Sequence, residues 1–150
     1  FFMAKIRITK EFTFDMAHAL YNYDGLCQNL HGHTYKLQVT LIGSPCTDEK
    51  SPKHGMVLDF NILKEVVKKP IVDRFDHALM VPQGKGFESL QQFQNNEKYI
   101  EVPFQPTCEN ITTYIASQVI ENLPKDVQLH SVRLWETPTS FAEWFAEDNR

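Results

Sequence analysis

No apolar run in this 150-residue chain approaches the roughly 20 residues that a membrane helix needs, and no secretory signal is evident. Basic runs are missing too. With a net charge of −4 and no such run, nucleic acid is not expected as the main partner. A phosphorylated substrate stays admissible, because it needs only a local cluster of donors. The cysteines, Cys27, Cys46 and Cys108, are few and unevenly spaced, so no disulfide framework is expected and a reducing cytoplasmic compartment is. Repeats, linkers and composition shifts are also absent. A chain that is 42% hydrophobic and 23% charged suits one globular domain with a sizeable core. Phe1 and Phe2 precede Met3 and read as an appended remnant, which places the domain at residues 3–150.

What the chain does have is alternation, and histidines in phase with it. Residues 5–16 alternate Ile6, Ile8, Phe12, Phe14 and Met16 against Lys5, Arg7, Thr9, Glu11, Thr13 and Asp15. Residues 33–42 do the same, with Tyr35, Leu37, Val39 and Leu41 on one parity. Each pattern predicts a strand with one buried face. His18 shares the apolar parity of the first strand, and His31 and His33 share that of the second. A lone His-x-His is often an ordinary half-buried pair. A third histidine at matching parity makes convergence on one metal the sharper expectation. Neutral imidazole is a common zinc ligand, and three protein ligands leave a fourth position for water or substrate. Cys27 either closes that position, giving a structural site, or stands beside an open catalytic one.

The remaining chain predicts strand–helix alternation. Gly43-Ser44-Pro45 ends the second strand, and 46–54 is a polar excursion whose Cys46 and His54 read as surface residues. Asp59 or Asn61 can cap a helix carrying Phe60, Leu63, Val67 and Ile71 as a core stripe, with Pro70 ending or kinking it. Asp76-His77 follows, and 82–97 reads as a loop or irregular helix. Tyr99–Val102 is a short strand, and Thr107 caps a helix with Glu109 in its first turn, where the helix dipole favours an acid. Its buried stripe is Ile111, Tyr114, Ile115, Val119 and Leu123, and Pro124 stops it. A last strand runs from Val127 to about Thr137, with Glu136 on the parity of Val132 and Leu134. An inward carboxylate needs a partner, either a protein group or a ligand. Antiparallel strands with two helices on one face predict an α+β domain.

These pieces together resemble a known family. Phe14-x-x-Ala17-His18, Cys27-x-x-x-His31-Gly32-His33, Gly55-Met56-Val57-x-Asp59-Phe60, Asp76-His77, Pro106-Thr107-x-Glu109-Asn110 and Glu136-Thr137 occur in family order over most of the chain. The chain resembles the 6-pyruvoyltetrahydropterin synthases, nearest their bacterial 6-carboxytetrahydropterin synthase branch of queuosine biosynthesis, which the short gap between Cys27 and His31 favours. The resemblance implies the tunnelling fold, with homotrimers or homohexamers closing a strand-lined barrel. It implies Zn²⁺ on His18, His31 and His33, with Cys27 outside the ligand set as a catalytic base. Asp76 and His77 would form an acid–base pair serving a neighbouring subunit. Glu136 would anchor a pterin, with Thr107 and Glu109 near it, although helix capping accounts for those two equally well. The implied reaction turns 7,8-dihydroneopterin triphosphate into 6-carboxytetrahydropterin, acetaldehyde and triphosphate. A lyase that only eliminates triphosphate, giving the 6-pyruvoyl product, and a non-enzymatic zinc-stabilised domain are the alternatives.

Overall fold

Two long strands, β1 (Ile6–His18) and β2 (His31–Gly43), pair antiparallel along their whole lengths. The computed structural model describes residues 4–24 and 29–150; Cys27 lies outside the described residues. Both strands run further than the alternation alone predicts, so His18 and His31 join His33 as strand residues. Their parity holds: Phe14, Met16, Tyr35, Leu37, Val39 and Leu41 are buried in the main core. Burying side chains of this size contributes roughly 1.5–3 kcal/mol each, so a one-residue slip, which would turn every one outward, is strongly disfavoured.

The chain continues through α1 (Phe60–Val67), a wider π-type turn over Lys68–Val72 and α2 (Asp73–Phe75), then β3 (Ala78–Pro82) and β4 (Tyr99–Val102). Last come α3 (Cys108–Asn122), β5 (Gln128–Thr137) and β6 (Ser140–Phe145). Asp59 caps α1 by accepting from the Asn61 N–H at 2.8 Å. Leu63, Val67 and Ile71 are fully buried, but Phe60 is exposed, so the stripe starts one turn later than expected. Pro70 falls inside the π-type turn. The helix thus absorbs a residue without an N–H by widening, and does not end there.

The six-stranded sheet has the order β4-β3-β1-β2-β5-β6. It is antiparallel from β1 to β6, as expected, while β3 and β4 add a parallel edge. On one face α1 and α3 pack with Leu63, Ile111, Ile115 and Val119 against Tyr35, Leu37 and Leu134. The other face carries a smaller cluster of Ala19, Leu79, Val81 and Tyr99, with Phe87 and Leu90 from the β3–β4 connection packed on it. That connection is a short 3₁₀ helix, Glu88–Phe93, flanked by turns.

Candidate metal centre

His18 lies directly opposite His31 across the hairpin, and Met16 opposite His33, so strand alternation puts all three imidazoles on the helix-covered face. Their ring centroids are 4.6, 4.8 and 5.2 Å apart, and one nitrogen from each lies within 4.8 Å of the others.

The hydrogen bonds decide which nitrogens are free. His18 Nδ1 donates to the Pro106 carbonyl and His31 Nδ1 to the Asn29 carbonyl, both at 2.7 Å. A carbonyl only accepts, so each Nδ1 carries its proton and each neutral ring keeps a lone pair on Nε2. These two Nε2 atoms are 3.0 Å apart. Lone pairs at that distance repel unless a proton or cation joins them. A proton is poorly held there, because burial, aided by the neighbouring histidines, pulls the His18 pKa down to about 4. His33 Nε2 is also buried and has no hydrogen-bond partner among the described residues, and burial lowers its pKa as well. Two acceptor nitrogens converging with a third, unpartnered ring nitrogen fit a metal cation, and the carbonyl bonds at Nδ1 of His18 and His31 are the outer contacts that fix a ligating ring.

Glu136 approaches this cluster from β5. The pairing of β5 with β6 is irregular between Trp135 and Thr137, an irregularity of the kind that re-aims a side chain. Its Oε1 lies 4.0 Å from His33 Nε2, too far for a hydrogen bond, and the side chain is 25% exposed. Among the described residues Glu136 therefore keeps free acceptor capacity beside the histidines. One cavity of about 690 Å³ runs past His33, Glu136, Trp135 and Lys36. A second, of about 420 Å³, joins Glu136 to Glu109 and Cys108. Cys108 is no ready nucleophile: burial pushes its thiol up to about 11, and the thiol donates to the Leu134 carbonyl. The Tyr35 hydroxyl is buried without a partner among the described residues, and burial with the nearby Glu136 charge raises its pKa. Thr107 caps α3 by accepting from the Asn110 N–H at 3.2 Å, and Glu109 is exposed in the first turn.

A second cluster, Asp15, Asp76 and His77, occupies the other face. Asp15 pairs with Thr34, one residue out of phase with the histidines, and Thr34 Oγ1 donates to Asp15 Oδ1 at 2.6 Å. The Asp15 N–H donates to Asp76 Oδ1 at 2.9 Å, while Asp76 Oδ2 lies 3.0 Å from His77 Nδ1. That backbone bond first, and then His77, hold the Asp76 carboxyl below its ordinary range. An ionised Asp76 fixes the proton on Nδ1 and leaves Nε2 of His77 to exchange protons. His77 has φ of +63°, a left-handed conformation that costs a non-glycine residue about 1–3 kcal/mol. Such strain persists only where surrounding contacts enforce it. Asp15, Thr34, His77, Leu90, Phe93 and Gln94 line a cavity of about 550 Å³ here.

The structure thus brings His18, His31, His33 and Glu136 together, and separately Asp76 with His77. Two half-sites lie on opposite faces of one sheet. Asp15, Thr34 and Tyr35 join these clusters although no motif in the sequence marks them as site residues. Asp15 and Thr34 were legible as the outward parity beside the histidines, whereas nothing local in the sequence marks Gln94.

Residues 7–147 match the 6-pyruvoyl tetrahydropterin synthase family. The 6-carboxy-5,6,7,8-tetrahydropterin synthase of Haemophilus influenzae is 46% identical over 143 residues, covering 92% of this chain and 97% of that protein. The protein of the same description from Rickettsia felis is 34% identical, with 92% and 99% covered. Among solved structures, an uncharacterised protein of Wolinella succinogenes superposes with a TM-score of 0.77 at 22% identity, over 95% of this chain and 99% of that one. The 6-pyruvoyl tetrahydropterin synthase of Caenorhabditis elegans does so at 0.70 and 24%, over 97% and 99%. At that identity the structural likeness carries the fold alone.

Proposed function

This chain belongs to the 6-pyruvoyl tetrahydropterin synthase family, and from that premise we propose that it is a zinc-dependent lyase acting on 7,8-dihydroneopterin triphosphate. Its products are 6-carboxy-5,6,7,8-tetrahydropterin, acetaldehyde and triphosphate, a step of queuosine biosynthesis in the cytoplasm. The observation that carries the reading is the set of three converging imidazole nitrogens with a free carboxylate beside them. The carboxy product, over the pyruvoyl one, rests on the relatives of that description at 46% and 34% identity.

His18, His31 and His33 hold the metal, His18 and His31 oriented by the carbonyls of Pro106 and Asn29. Zinc bound there supplies a Lewis acid that makes the substrate's side-chain hydroxyls and the adjoining C–H more acidic. Glu136 accepts the adjacent N–H donors of the pterin ring in a two-pronged contact. Glu109 borders a cavity with Glu136, and Thr107, two residues before it, caps α3. Cys27, as thiolate, removes a substrate proton. His77, held by Asp76, returns or accepts protons during isomerisation and side-chain cleavage.

Strand alternation points the two half-sites to opposite faces of the sheet, which favours a substrate held between copies. We take the assembly to be a homotrimer or homohexamer in which the Asp76–His77 pair of one copy serves the metal half of its neighbour. Incubating the zinc-loaded protein with dihydroneopterin triphosphate and resolving the products tests the function. Acetaldehyde and 6-carboxytetrahydropterin in equal amounts are expected. Accumulation of the 6-pyruvoyl product without acetaldehyde would assign the chain to the other activity of its family.

Glu136→Gln keeps the shape of the side chain and removes the charge that accepts pterin N–H groups. Affinity for a pterin analogue, measured by calorimetry, is expected to fall about tenfold to a hundredfold, from the 1.5–3 kcal/mol of a charge-assisted hydrogen bond. Zinc content and assembly size should not change. Unaltered affinity would return Glu136 to a purely structural place beside His33.

A further inference from the structure

We propose that Lys98 and Gln94, from the connection between β3 and β4, are positioning residues for the Asp76–His77 pair. The proposal rests on the acid–base reading of that pair given above. The His77 side chain is 75% exposed, and among the described residues only Asp76 is placed to hold its imidazole. Its direction must therefore come from the backbone, which is in the left-handed region at this residue. Peptide groups on both sides of His77 are pinned. The His77 N–H donates to the Asp15 carbonyl at 2.6 Å, and the carbonyl of the same peptide group, that of Asp76, accepts from Lys98 Nζ at 2.7 Å. Lys98 Nζ also donates to the Asp73 carbonyl at 2.6 Å, so one ammonium ties off the carbonyls at the end of α2. On the far side, the His77 carbonyl accepts from Gln94 Nε2 at 3.2 Å.

The clamp is itself braced. Gln94 Nε2 also reaches the Lys98 carbonyl at 3.2 Å, and that carbonyl accepts the Leu79 N–H at 2.8 Å as β3 leaves the pair. Asn95 Oδ1 accepts from the Glu97 and Lys98 N–H groups, a side-chain turn that fixes how Lys98 is presented. Leu90 anchors the segment to the outer apolar cluster. A lysine and a glutamine spending their donors on the three carbonyls of residues 73, 76 and 77 serve the geometry of that corner rather than solvent.

The test compares kcat and KM for Lys98→Met, Lys98→Arg and Gln94→Ala, each with His77 present and in a His77→Ala background. Lys98→Met is expected to lower kcat about 10- to 100-fold, the cost of an ångström-scale misplacement, with KM, zinc content and assembly size unchanged. Lys98→Arg should recover most of that loss. In the His77→Ala background Lys98→Met should cost nothing further, because the group it positions is gone. Gln94→Ala, a milder change that leaves Lys98 in place, is expected to show the same background dependence and carries the test if Lys98→Met does not fold. Equal losses in both backgrounds, or kcat within twofold of the parent, would overturn the clamp. Full turnover by His77→Ala itself would instead overturn the acid–base reading, and the clamp with it.

Discussion

Replacing His31 with alanine is expected to remove metal and turnover together while leaving a folded protein. His31 donates Nδ1–H to the Asn29 carbonyl, and its Nε2 sits 3.0 Å from that of His18. Removing it leaves two of the three nitrogens. Loss of a mere outer contact to a ligand typically costs 10- to 100-fold in metal affinity, and loss of the ligand itself should cost more. The fold should survive, because the main core, centred on Leu37, Leu63, Ile111 and Leu134, owes nothing to the ring. Elemental analysis, product assay and thermal melting on the same sample check this. A chain that unfolds when the metal leaves would match a zinc-stabilised domain instead. A chain that keeps stoichiometric zinc would remove His31 from the ligand set.

Cys27→Ala should give the contrasting phenotype. If the thiolate is the base, zinc stoichiometry, assembly size and pterin affinity stay near those of the parent. Turnover falls by roughly two to four orders of magnitude, the contribution of a positioned proton-transfer group. Cys46 and Cys108 provide no substitute, since Cys46 is in the polar excursion after β2 and Cys108 is buried and bonded to a carbonyl. Loss of zinc from Cys27→Ala would make the cysteine a fourth ligand and close the site. Retention of most turnover would exclude it as the base.

Much of the metal half was legible because strand periodicity is a local signal. His18, His31 and His33 are in phase with Phe14, Met16 and Tyr35, and the phase alone fixes the face they occupy. Thr107 and Asp59 announced their helices by the same kind of local chemistry. β3 gave no such signal. All five of its residues are buried, so no alternation marks Ala78–Pro82 as a strand. The sequence pattern predicts a last strand ending near Thr137, whereas Pro138 and Thr139 turn the chain back into a further strand, Ser140–Phe145. Helical spacing puts Phe60 in the core, yet it stands exposed at the first helical position, where the stripe has not reached the sheet. The clamp on His77 was beyond any periodicity. Its donors are 17 to 25 residues from their acceptors, and a lysine in a polar stretch announces nothing.

In the proposed assembly, two half-sites that point to opposite faces of one sheet meet between copies. Co-assembly of two inactive variants tests this most directly. His31→Ala lacks the metal half and His77→Ala lacks the acid–base half, so each alone should be nearly silent. Unfolded and refolded together in equal amounts, they should regain turnover at roughly a quarter of the parental level, because random mixing restores both intact halves at about that fraction of interfaces. Turnover of the mixture no greater than the sum of the separate variants, in assemblies shown to contain both chains, would contradict it.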